Sequence, residues 1–191
     1  EPIEQLLFLA AEHLNKGKTK PETAKQISQV YNILKKSKAT KINPKYAEEI
    51  AEKLYPLDLV AANALTHSLQ KYGQNERSLF SFLESTDATG ISKYDSNANP
   101  FYNLSCVYDY LVFNLYSFIN SRYNPDFGAW SGIKNSLDTV ERVFNENVLE
   151  YEKIIKSIGL LSMTAPEGAE LNKDFLISYS KTCLGINKPE A

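Results

Sequence analysis

Between Glu1 and Asn15 the apolar residues Ile3, Leu6, Leu7, Ala10, Ala11 and Leu14 recur every three or four positions, which predicts an amphipathic helix. Thr19 and Glu22 have the spacing of a capping box, and Ala24, Ile27, Val30, Tyr31 and Leu34 continue the period in a second helix. A lysine-rich connector, Lys35 to Lys41, leads to Asn43-Pro44, an N-cap followed by proline at the first helical position. Ala47, Ile50, Ala51 and Leu54 form the short stripe of a third helix, which Tyr55-Pro56 ends. Leu57 to Tyr72 predicts a fourth, with Gly73 placed for a left-handed cap and Asn75 placed to cap a short fifth helix carrying Leu79, Phe80, Phe82 and Leu83.

The second half repeats the pattern after a gap. Ser85 to Pro100 is nearly all small or polar and predicts a mobile, exposed loop. Asn103 to Asn120 is apolar nearly all round, as a central enclosed helix would be, with Leu104, Val107, Leu111, Leu115 and Ile119 expected deepest. By the same reading Tyr108, Tyr110, Phe113, Tyr116 and Phe118 belong to the core. Stripes from Trp130 to Phe144 and from Tyr151 to Leu161 break near Asn145–Asn147, and Leu171 to Leu184 predicts a last helix ending at Gly185. No window alternates as a strand. The expected fold is all-α, a bundle of about eight or nine helices, divided into 1–100 and 101–191.

Composition removes several classes of function. In 191 residues, 21 Lys and Arg face 23 Asp and Glu, and that near-neutral balance argues against nucleic-acid binding by bulk charge. The longest apolar run, Tyr110 to Ile119, is too short to cross a bilayer. Cys106 and Cys183 are too few for a disulfide scaffold and read as free thiols, which suits the cytoplasm. The chain begins Glu1-Pro2 without an initiator methionine, and we expect it to be a piece of something longer.

Candidate chemistry is sparse. His13 and His67 stand without a spacing that pairs them with a catalytic partner, and neither a C-x-x-C, an H-E-x-x-H nor a Walker pattern occurs. No self-contained enzymatic activity, metal or cofactor is expected of this chain. The lysine run Lys35, Lys36, Lys38 and Lys41 reads as a solvated connector rather than a phosphate grip. Arg77 stands apart, because a cation in the first turn of a helix opposes the helix dipole. Two explanations are open: an anion shared with the exposed amides, or an ion pair with Glu76, Asp58 or another carboxylate.

Tyr55-Pro56-Leu57 and the run Tyr72-Gly73-Gln74-Asn75-Glu76-Arg77-Ser78-Leu79-Phe80-Ser81-Phe82-Leu83 resemble a segment of large bacterial P-loop ATPases of the AAA+ and STAND type. In that group a helical lid follows the nucleotide-binding core, and an arginine opening a lid helix reaches the ATP γ-phosphate. Arg77 occupies the matching position. Ile154 to Leu161, with Leu171 to Gly185 after it, resembles the first two helices of a winged-helix module that would continue beyond Ala191. The resemblance implies a non-catalytic helical region, 1–100 being lid-like and 101–191 ending in the truncated winged-helix-like segment. Its partner would be an upstream nucleotide-binding core holding ATP and Mg. The alternative is a free-standing helical module that binds a protein partner.

Overall fold

A computed structural model describes residues 2–14, 21–73 and 76–189, with the side chains of residues 21, 76 and 77 left outside the description. Among the described residues there are ten α-helices and no strand: α1 (Ile3–Leu14), α2 (Pro21–Ser37), α3 (Pro44–Ala51), α4 (Leu59–Tyr72), α5 (Glu76–Glu84), α6 (Leu104–Asn114), α7 (Tyr116–Ile119), α8 (Phe127–Val143), α9 (Val148–Thr164) and α10 (Lys173–Tyr179). A π-helical turn, Ser180–Leu184, extends α10 and closes at Gly185, whose φ of 70° is the left-handed cap that glycine adopts without a Cβ clash. The expected all-α class is what the chain adopts.

The centre of the bundle is α4. Ten of its residues, including Leu59, Ala61, Ala62, Ala64, Leu65 and Leu69, are buried, and it packs against α1, α2, α5, α6 and α9. Three alanines on one helix let neighbouring backbones approach closely, so this helix is enclosed although its sequence is less apolar than others. Its buried polar side chains are bonded locally: the Thr66 and Ser68 hydroxyls donate to the carbonyls of Ala62 and Ala64, and Asn63 accepts from Thr40 at 2.8 Å.

This corrects the expectation for 103–120. Leu104, Val107 and Leu111 are fully buried and Ile119 is nearly so. The helix breaks at Leu115 (φ −113°, ψ 21°), where the Asn114 amide donates to the Tyr110 carbonyl, and Leu115 itself is only partly buried. On either side of the break, residues read as core face outward: Phe113, at the end of α6, is 62% exposed and Tyr116, at the start of α7, is 60% exposed. Tyr108 and Tyr110 stay buried as expected.

Residues 85–100 are a largely exposed or half-exposed loop, as expected, but one with specific anchors to the body. Ile91 is buried on a 3-10 turn, Tyr102 donates to the Thr89 carbonyl at 2.6 Å, and Tyr94 donates to the Phe101 carbonyl at 2.5 Å. Asn99 reaches across to the Cys183 carbonyl at 2.9 Å. The hydroxyls of Tyr94 and Tyr102 and the amide of Asn99 thus anchor the loop.

Two helix starts are tied side by side. Tyr102 donates its amide to the Pro56 carbonyl at 2.8 Å and Asp58 donates to Tyr102 at 3.2 Å, a single parallel bridge between Leu57 and Tyr102. The caps that follow, Asp58 for α4 and Asn103 for α6, are both buried. Asp58 accepts from the Ala61 amide at 2.8 Å and from the Tyr179 hydroxyl at 2.7 Å, while that hydroxyl accepts from the Leu104 amide at 3.0 Å. Asn103 caps α6 and donates to the Cys183 carbonyl at 3.0 Å. One core cluster runs from Leu6 to Ile186, so the regions 1–100 and 101–191 share their interior.

Candidate functional site

The C-terminal end of α4 carries a polar and aromatic cluster. Tyr72 donates a short hydrogen bond to Asp126, in the turn before α8, and Lys71 pairs with the same carboxylate at 2.6 Å. Burial draws the Asp126 carboxyl upward, but the hydrogen bonds from Lys71 and Tyr72 outweigh it and hold its pKa below the usual range. Burial pushes the Tyr72 hydroxyl up, and acceptance by Asp126 adds to the effect. His67, one turn earlier, is partly buried; desolvation and then Lys71 lower its pKa, with Asp126 opposing, so it is neutral at physiological pH.

An aromatic ladder rises through this cluster. The Tyr108 ring lies 5.5 Å from Trp130, Trp130 lies 6.2 Å from Tyr72, and Tyr72 lies 5.7 Å from Phe118, which is 36% exposed. Phe113 on α6, Tyr116 on α7, Tyr123 in the turn after it and Phe127 on α8 are exposed as well. The segment α6–α8 therefore carries several exposed aromatic rings, of which Phe118 rests on Tyr72 beside the Lys71–Asp126 ion pair. Exposed rings of this kind suit burial of a partner's apolar side chains; the Asp126 carboxylate beside them is held by Lys71 and Tyr72, while the His67 Nδ1 is buried without a hydrogen-bond partner.

The backbone of Arg77 falls in the first turn of α5, as the sequence predicts, while its side chain, Asn75 and Thr19 lie outside the described residues. Gly73 ends α4 in an extended conformation (φ −112°), not the left-handed cap expected. Glycine is needed there for a different reason: a Cβ would stand 2.6 Å from the Ser78 Oγ and 2.9 Å from the Leu69 carbonyl oxygen. The proposed pairing of Arg77 with Asp58 meets a carboxylate that is fully buried and already bonded to Ala61 and Tyr179.

Other sequence candidates separate. His13 is exposed on α1. Lys35 and Lys36 belong to the last turn of α2 rather than to a connector, Lys35 lying 5.9 Å over the Tyr31 ring. Burial pushes the Cys106 thiol up to about 11 and the Cys183 thiol well above its ordinary value, so both are packing groups rather than nucleophiles. Among the described residues no cluster of three or more His, Cys, Asp or Glu is placed to hold a metal, and no helix is long and apolar enough to cross a membrane. The Lys71–Tyr72–Asp126 cluster escapes sequence reading because its partners are 54 residues apart and no local spacing joins them.

No protein-family model, no curated protein and no solved structure matches this chain.

Proposed function

We propose that this chain is a non-catalytic helical region of a larger P-loop ATPase, docking on an upstream nucleotide-binding core and relaying its state. The reading is supported by the aromatic surface at the end of α4, which leads directly through Gly73 into the helix start bearing Arg77. An exposed aromatic face that meets Tyr72 through Phe118, and an arginine in the first turn of the helix that follows α4, suit a lid that closes over bound phosphate. ATP and Mg would be held by that core, and this chain would add the Arg77 charge. The encoded sequence preceding Glu1 decides the matter cheaply. It should contain a G-x-x-x-x-G-K-[ST] motif, and in the whole protein Arg77→Ala should lower ATP turnover by roughly 10²–10³-fold with the fold unchanged. A start codon at Glu1, or unchanged turnover, defeats this reading.

The exposed aromatics alone also suit a second reading, a free-standing module that binds a protein partner through the same face. In either case Phe118→Asp should abolish partner binding while preserving helical circular dichroism.

A further inference from the structure

A second concave surface lies away from the aromatic face, between the end of α2 and the start of α3. It is a cleft of about 150 Å³ whose floor is Leu34, Ile42 and Ala47, all buried, with Tyr31 as one wall and Lys35 and Lys38 at the rim. No residue lining it is acidic. The Tyr31 hydroxyl donates to the Pro44 carbonyl at 3.2 Å, which fixes the wall to the facing helix. Lys38 is set by its backbone, whose φ of 52° turns the chain out of α2. Its ammonium pairs with Glu170 at 2.7 Å, and both side chains are more than half exposed.

We propose that this cleft binds a small amphiphilic carboxylate, an acyl or aryl group of roughly six carbons ending in a carboxylate, with the tail on Leu34, Ile42 and Ala47 and the head between Lys35 and Lys38. An apolar floor selects the tail and two ammonium groups at the rim select the charge. The ligand's head takes Lys38 in competition with Glu170. That exchange is easy, because a solvent-exposed ion pair contributes little. Glu170 stays anchored after releasing Lys38, since its amide donates to the Ser37 carbonyl at 2.7 Å. The segment before α10 therefore loses one tether and keeps the other.

Titration of the intact chain with hexanoate, hexanol and hexylammonium, followed by amide NMR and calorimetry, tests this. Hexanoate should bind with a Kd on the order of 1 mM and shift the amides of Leu34, Ile42 and Ala47, with hexanol at least about tenfold weaker and hexylammonium silent. Lys35→Ala should weaken hexanoate by about three- to tenfold, whereas Glu170→Gln should strengthen it by about two- to fivefold by freeing Lys38. Both substitutions are on exposed side chains, so loss of fold does not confuse the outcome. Equal binding of hexanol and hexanoate, unshifted cleft amides, or a Glu170→Gln variant that binds no better would overturn the proposal.

Discussion

Asp58 shows how much one side chain can decide. Its burial pushes the carboxyl up to about 7, against the downward pull of hydrogen bonds from Ala61 and Tyr179. A carboxyl raised on folding makes the native state bind a proton that the unfolded chain releases near pH 4. Its contribution is therefore complete below about pH 4 and is lost as pH rises toward and through 7, at a limiting slope of about 1.4 kcal/mol per pH unit. Asp126 acts oppositely, its depressed pKa supporting the fold above pH 4 and failing below it. Thermal melts between pH 5 and 8 should show the parent losing stability with rising pH relative to Asp58→Asn; parallel curves would refute the assignment. The sequence pattern runs the fourth helix from Leu57, which puts Asp58 inside it and leaves its capping role unread. Its burial is not legible either, because the group that covers it, Tyr179, lies 121 residues away.

At the scale of elements, α8 packs tightly on α9 at Gly159. A Cβ at Gly159 would stand 2.4 Å from Cγ1 and 2.5 Å from Cδ1 of Ile133, a β-branched side chain with little rotamer freedom. Gly159→Ala should destabilise the chain by roughly 1–3 kcal/mol through overpacking. Gly132, on α8, has open space where its Cβ would point, so Gly132→Ala should stabilise by roughly 0.5–1 kcal/mol. Denaturant midpoints of the two variants, moving in opposite directions, check the pair. Helix stripes, the Asn43-Pro44 cap and the break at 145–147 are local features, and the sequence displays them. Which helix sits at the centre is not local. Leu104 to Ile119 outranks α4 in apolar character, but the bundle closes around α4 because Ala61, Ala62 and Ala64 admit neighbours that larger residues would hold off. Leu111→Ala should still cost roughly 2–5 kcal/mol, since its side chain is fully enclosed.

At the scale of the whole molecule, packing joins what the sequence separates into 1–100 and 101–191. α2 meets α10, and α4 meets both α6 and α9, across that division. The exposure of Phe113, Tyr116 and Phe118 is equally hidden, because they sit at helical spacing among leucines and valines, and the break at Leu115 that separates α6 from α7 is not marked by a proline or glycine.

The hydroxyl of Tyr179 holds the Leu104 amide as well as the Asp58 carboxylate, so the first turn of α6 is closed by a residue from the far end of the chain. An amide in the first turn of a helix has no intrahelical acceptor and ordinarily exchanges its proton with solvent quickly. Here the exchange clock of that single proton is set by undocking of the C-terminal helix. Its rate reads out, without any added probe, whether the last helix is seated; it should track the other amides protected by that helix and rise sharply in Tyr179→Phe.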